Sequence, residues 1–327
     1  MTGTVEVDRS AVELGFEQHR RELTAYCYRM LGSPFEAEDA VQETLVRAWR
    51  SFDGFEGRAA LRSWLYRIAS NVCFDMLRGR KRRALPMDMM EVGSAFGHVD
   101  PPDLEGAWIG PINDRRVLPA DGDPAEAAET RESVRLAFVA ALQHLPARQR
   151  AVLILREVLK WKASEVAELL DTTVVSVNSA LQRARSTLSD HDVSSSSPVM
   201  PIDPEQEALL ARYVDAFERF DIDALVALLH EDATMQMPPY AMWLRGAEEY
   251  RTWLLGPGAG CEGSRVARVE ANGAPALAQW RRNPDGRGYH AWSIQIVRMS
   301  GGQITGMDFF VDPRLFALFD LPVTLDA

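Results

Sequence analysis

Residues 161–188 constrain this chain more than any other stretch. Val166, Ala167, Leu169 and Leu170 recur at helical spacing, and Asp171-Thr172-Thr173 interrupts them. Val174, Val177, Leu181, Ala184 and Leu188 then resume at intervals of three and four. Two short helices around so brief a turn bury one face each, the pattern of a helix-turn-helix. Ser164 is the expected cap of the first helix, with Glu165 in its first turn, and Thr173 the expected cap of the second. The second helix leaves Ser176, Asn178, Ser179, Gln182 and Arg183 outside. Hydroxyls, amides and a guanidinium can read base edges or hold phosphates in a major groove. Asp171 stands where such a turn usually carries glycine. Two packed helices with a solvated polar face would give the same pattern, so the rest of the chain must decide.

Residues 10–83 read as helices throughout. Phe35–Phe52 places Val41, Leu45, Ala48 and Trp49 on one stripe. Asp53-Gly54-Phe55-Glu56-Gly57 breaks the pattern. Leu61–Arg78 then carries Leu61, Trp64, Leu65, Ile68, Val72 and Leu77 inward, with Asn71 outside. It runs into Arg78-Gly79-Arg80-Lys81-Arg82-Arg83, five cations in six residues. A cationic segment closing an aromatic-containing helix suits backbone contacts beside unstacked bases.

The net charge of −11 looks wrong for a nucleic-acid binder until it is divided. Residues 84–128 hold nine acidic side chains against two basic ones, and residues 193–327 hold eighteen against eleven. The two helical parts, 1–83 and 129–192, are each slightly basic. So weak a cationic balance neutralises few phosphates, and such modules bind DNA poorly alone. A partner is expected to hold the protein on DNA. Three scattered cysteines, Cys27, Cys73 and Cys261, form neither a disulfide framework nor a zinc site, which fits a reducing cytoplasm. No apolar run approaches the roughly 18 residues that would span a bilayer, so no membrane role is expected.

Four motifs in order then resemble one family. They are Glu38-Asp39-Ala40-Val41-Gln42-Glu43-Thr44-Leu45, Trp64-Leu65-Tyr66-Arg67-Ile68-Ala69-Ser70-Asn71, Leu145-Pro146-Ala147-Arg148-Gln149-Arg150, and the helix-turn-helix ending Gln182-Arg183-Ala184-Arg185. Together they resemble the extracytoplasmic-function (ECF) class of sigma-70-type RNA polymerase sigma factors over about residues 10–190. The resemblance implies that Asp39, Gln42 and Glu43 dock on the clamp helices of core RNA polymerase. It implies that Phe55, Arg67, Asn71, Arg78, Arg80 and Lys81 serve the −10 element of promoter DNA, melting it and taking flipped-out bases. Ser176, Asn178, Ser179, Gln182 and Arg183 fall to the −35 element. Many relatives carry Arg or another bulky group at the positions of Asn178 and Gln182, so a different −35 preference is expected. The acidic linker looks like the segment that threads the polymerase cleft, where acid can occupy a basic nucleic-acid path.

Beyond the helix-turn-helix the chain continues for well over a hundred residues. Helical runs at Glu205–Phe220 and Asp223–His230 precede strand-like runs at Ala233–Met237, Gln279–Arg282, Ala291–Met299 and Ile304–Val311, an α+β order. Tyr213–Phe220, His230-Glu231-Asp232-Ala233, Pro238-Pro239 and Asp308-Phe309-Phe310 resemble the SnoaL-like cone fold. The expected organisation is multidomain: two all-α sigma domains, the second a helix-turn-helix, followed by an α+β SnoaL-like cone-fold domain. Its segments are a region 2 domain at 1–83, an acidic linker at 84–128, a region 4 domain at 129–190, a Ser-rich linker at 191–203 and the regulatory domain at 204–327. The resemblance implies control in cis by that last domain. A pocket lined by Tyr240, Trp243, His290, Trp292 and Asp308 could take a small-molecule ligand; no cofactor, metal or catalytic residue is expected. The alternatives are a ligand-responsive DNA-binding regulator or a fused small-molecule enzyme, for which His230 and Asp232 are further proton-transfer candidates.

Overall fold

A computed structural model describes residues 9–52, 60–95, 101–103, 108–119, 124–189 and 202–326. They fall into two bodies, one built from 1–82 and 115–197, the other from 83–114 and 198–327. Among the described residues no helix is long and apolar enough to cross a membrane.

The first body is all helix. Its elements are α1 (Arg9–Leu31), α2 (Pro34–Ser51) and α3 (Leu61–Leu77), then α5 (Pro124–Val134), α6 (Leu136–Gln143), α7 (Ala147–Leu153), α8 (Ala163–Leu169) and α9 (Val174–Ser189). The short α4 belongs to the other body. Ser33 accepts from the Glu36 N–H, and Pro34 supplies a first helical residue that needs no acceptor. α2 buries Ala37, Ala40, Val41, Thr44 and Ala48 against its neighbours. Tyr26 of α1 meets Tyr66 of α3 edge-on at 5.1 Å between ring centres, and its hydroxyl pairs with Ser70 at 2.7 Å.

The two sigma-like halves are fastened together inside this body. Arg29 of α1 is 1% exposed and donates to the Ser133 carbonyl at 3.1 Å and hydroxyl at 2.6 Å. Arg150 of α7, also buried, donates to the Met30 carbonyl, to Gln143 Oε1 at 2.6 Å and to the Gln143 and Leu145 carbonyls. Gln143 in turn donates to the Arg29 carbonyl at 3.3 Å. Burial pulls both guanidinium pKa values down to about 10, because neither charge keeps its water. Trp161 lies against Tyr66 at 5.1 Å, with Arg62 over both rings.

The second body is a sheet with its longer helices on one face. It contains α4 (Pro86–Met89), α10 (Pro204–Glu218), α11 (Ile222–Ala227), α12 (Ala247–Leu255) and α13 (Leu315–Leu318). Its strands are β1 (Leu229–Gln236), β2 (Trp243–Arg245), β3 (Arg265–Ala271), β4 (Ala274–Arg282), β5 (Tyr289–Ser300), β6 (Gln303–Phe310) and β7 (Thr324–Leu325). The order is β2-β1-β6-β5-β4-β3, with β7 on β5 and only the β1–β6 pair parallel. Asp203 caps α10 through the Gln206 N–H. Leu209, Leu210, Tyr213 and Phe217 of α10 and Tyr250 and Trp253 of α12 pack on Met235, Leu277, Val297, Met307 and Phe309 of the sheet.

The expected strand runs are present; β1, β4 and β5 are longer than the sequence suggests, and β6 is shifted by one residue. His230 and Asp232 lie in β1 rather than at a helix end, because α11 stops at Ala227. β2, β3 and α12 went unread. The expected linker at 84–128 departs further: α5 begins inside it, and its described residues before Arg115 belong to the body that holds the sheet.

That connector is held by backbone and side-chain groups at both ends of the sheet and by α12. Met87 N–H points to Gln236 of β1, and Gly93 N–H donates to the Trp243 carbonyl of β2 at 2.9 Å. Trp243 Nε1 returns a bond to the Met90 carbonyl at 2.9 Å, and Ala95 N–H reaches Glu249 of α12 at 2.7 Å. Ala84 and Trp108 form a parallel bridge. At the far edge Ile112 and Asn272 exchange bonds: Ile112 N–H to Asn272 Oδ1 at 2.9 Å, Asn272 N–H to the Ile112 carbonyl at 3.1 Å. Both oxygens of buried Asp114 accept from Gly273 N–H, at 2.9 and 3.2 Å. Asn272 (φ +55°) and Gly273 (φ +71°) are the left-handed pair of the β3–β4 hairpin, a turn that favours Asn-Gly. Ala84, Leu85, Ile109 and Ile112 are buried.

Candidate nucleic-acid interface

The helix-turn-helix is α8 and α9. Thr173 caps α9 by accepting from Ser176 N–H at 3.1 Å, as expected. Asp171 takes the left-handed conformation itself, φ +49°, which Asp tolerates better than most non-glycine residues. The cap of α8 differs from expectation. Its first residue is Ala163, so Ser164 lies inside it, and Glu165 reaches back to the Lys162 N–H at 2.7 Å. A carboxylate three residues in supplied the acceptor that Ser164 was expected to give.

α9 buries Val177, Leu181 and Ala184. Ser176, Asn178, Gln182 and Arg183 are exposed and Ser179 is half-buried. Helical spacing puts Asn178, Ser179, Gln182 and Arg183 on one face. Ser176 is partly spent on the turn, because Thr173 Oγ1 donates to its hydroxyl at 3.0 Å. Val175, 74% exposed, heads the same face and was not among the expected residues.

The residues expected to serve the −10 element are less uniform. Phe55 lies outside the described residues. Asn71 is exposed on α3. Arg67, also on α3, donates to the Glu168 carbonyl of α8 at 2.7 Å and is therefore engaged by the other half of the same body. Arg80 pairs with Glu36 and Arg78 with Asp75, while Lys81 is exposed. These pairs are solvent-facing and cost little to exchange for phosphates.

On α2, Asp39 and Gln42 are exposed; half-buried Glu43 accepts from Arg47 at 2.6 Å. Val46 and Trp49 are 42% and 41% exposed. The spacing Asp39, Gln42, Val46, Trp49 is three-four-three, so a polar end and an apolar end share one stripe, the shape a partner helix can pack on. The sequence reading placed Trp49 in the core, since a tryptophan on an amphipathic helix usually goes there.

The five expected pocket residues do not converge. Trp243 pairs in register with Gln236 and Gln236 with Asp308, so these share one sheet face, the one under the connector. Asp308 is 2% exposed and accepts from Gln236 at 2.7 Å and Arg298 at 3.2 Å. Gly306 leaves room for this, since a Cβ there would collide with the Arg298 guanidinium. His290 and Trp292 meet each other near the other end of β5, beside Asn283 and Arg281. Tyr240 packs on the helix-side core. Asp308 is tied into the sheet by Gln236 and Arg298.

Three family models match the chain: sigma-70 region 2 at residues 16–83, sigma-70 region 4 at 135–188 and the SnoaL-like domain at 210–307. The ECF RNA polymerase sigma factor SigG of Mycobacterium tuberculosis is 44% identical over 321 residues, covering 94% of this chain and 83% of that protein. The chain belongs to the ECF RNA polymerase sigma factors. SigJ of the same organism, another ECF sigma factor, is 28% identical over 74% of this chain and 71% of its own length. The crystal structure of SigJ shares the fold, with a TM-score of 0.57 at 21% identity over 97% of this chain and all of that one. This sigma factor therefore carries region 2, a region 4 helix-turn-helix that binds DNA, and a C-terminal α+β SnoaL-like domain.

Proposed function

We infer that this sigma factor directs core RNA polymerase to its promoters and that its C-terminal domain restrains it in cis by holding the connector between regions 2 and 4. The observation that carries the second part is the set of bonds by which Gly93, Ala95, Ile112 and Asp114 of the connector hold to the C-terminal body. A segment tied to the sheet at Gly93, Ile112 and Asp114 is not free to enter a polymerase cleft.

The packing of the two halves supports the same reading. α3 and α8 touch through Arg67 and Glu168. The −10 and −35 elements lie about 25 base pairs apart, roughly 85 Å of duplex at 3.4 Å per step. One body with its two readers in contact cannot serve both, so the sigma factor must open to initiate. Asp39, Gln42 and Glu43, with Val46 and Trp49, dock on polymerase; Asn71 and the cations Arg78, Arg80 and Lys81 serve the −10 element; α9 reads the −35 element.

Core polymerase mixed with the full chain should select promoters from a genomic library, and Asp39→Lys with Glu43→Lys should abolish that selection. If the mixture selects no promoter, the initiation role falls. If both charge reversals leave selection intact, the docking face falls.

A further inference from the structure

The outward face of α9 holds one residue that hydrogen bonding does not explain. Val175, Asn178, Ser179, Gln182 and Arg183 follow one another at helical spacing on the side opposite the buried Val177, Leu181 and Ala184. The last four are polar or charged. Val175 is 74% exposed, in the first turn of the helix, and Val174 beside it is 42% exposed. Neither is needed for the core, which Val177 supplies from this turn. The turn is capped by Thr173 and Ser176.

N-terminal residues of a recognition helix are the ones that approach base edges in the major groove. Along that groove the only apolar group a standard base pair presents is the C5-methyl of thymine. A branched aliphatic side chain there has nothing to donate or accept, but its two methyl groups can exclude water from that one. We propose that Val175 is a specificity residue that recognises a thymine methyl in the upstream promoter element, next to the bases read by Asn178 and Gln182. This rests on α9 being the −35 reader. The expected worth is that of one methyl moved from water into an apolar contact, about fourfold in binding.

The test uses the full chain in reconstituted holoenzyme and a promoter it selects. Each thymine of the upstream element is replaced singly by deoxyuridine, which removes only the methyl. One replacement should weaken closed-complex binding about fourfold with the native protein and have no effect with Val175→Ser, which itself binds the thymine promoter about as weakly as the native protein binds the uracil one. Exposure at position 175 means that Val175→Ser should melt with the native protein, so lost folding cannot mimic the result. The proposal is overturned if no deoxyuridine matters, if no thymine is present, or if the penalty survives in Val175→Ser. Asn178→Ala and Gln182→Ala separate the two levels. If they leave upstream base preference unchanged, α9 is not the reader; if they alter it while every thymine methyl is silent, only the role of Val175 fails.

Discussion

Replacing Asn272 with glycine removes one acceptor from the connector while sparing the turn that carries it. Glycine adopts the left-handed φ of this position without strain, so the β3–β4 hairpin should persist. What disappears is the Asn272 Oδ1 that Ile112 N–H donates to at 2.9 Å. Ile112 is 2% exposed, and a buried N–H left without a partner costs about 1–3 kcal/mol. At roughly 1.4 kcal/mol per factor of ten, the far end of the connector should then open about 5- to 150-fold more often. Arg115 and Arg116 follow directly in sequence and give the readout. Where opening and closing are fast, native-state tryptic cleavage tracks the open population, so cutting after these two arginines should accelerate by that factor. Polymerase-dependent transcription should rise in parallel. An unchanged cleavage rate would refute the claim that Asn272 latches the connector; faster cleavage with unchanged transcription would refute the claim that the latch restrains the sigma factor.

Arg29→Met keeps an aliphatic stem of similar length but loses both bonds to Ser133, and should separate regions 2 and 4 without unfolding either. A spin-label distance between α3 and α9 should lengthen, and an unchanged distance would count against Arg29 as a fastener. Trp49→Ala should weaken core polymerase binding by roughly tenfold or more, as loss of an aromatic anchor does, with little effect on the melting temperature. Titration against core enzyme decides it. Burial also raises the phenol pKa values of Tyr26, Tyr66, Tyr213 and Tyr250 above the ordinary value of 10. The unfolded chain then releases these protons first, so the stability they contribute is whole below pH 10 and lost above it, by about 1.4 kcal/mol per pH unit for each phenol. Melting temperatures of the native protein should fall between pH 9 and 11 and fall less steeply in Tyr26→Phe. A flat profile would contradict the assignment.

The helix-turn-helix was legible because its information is local. Thr173 caps its own helix, and the alternation of Val177, Leu181 and Ala184 with Asn178 and Gln182 states which side is buried. β3 was not legible, because it is a half-exposed edge strand studded with Arg265, Arg268 and Glu270. Strand parity disperses the five expected pocket residues. Register shifts at Gln279/Trp280 and Arg298/Met299 change which residues share a face, and nothing in the residues announces a bulge. The connector was missed for a related reason. Its partners are the Trp243 carbonyl, Asn272 and the Gly273 N–H, 150 to 160 residues further on, and a stretch rich in proline and acid has no period to betray a docked conformation. The docking face on α2 was half read: its acidic end stood out as a motif, whereas exposure of Val46 and Trp49 follows only from the packing around them.

The central claim is that the connector must leave the C-terminal domain when the sigma factor initiates, and amide hydrogen exchange of the full-length protein tests it directly. In the free protein the amides of Gly93, Ala95, Ile112, Asn272 and Gly273 should exchange slowly, since each is hydrogen-bonded between the connector and the C-terminal domain. In a promoter-open holoenzyme the same five should lose protection together while the β4–β5 amides keep theirs. Full protection at all five sites in a transcribing complex would contradict the account.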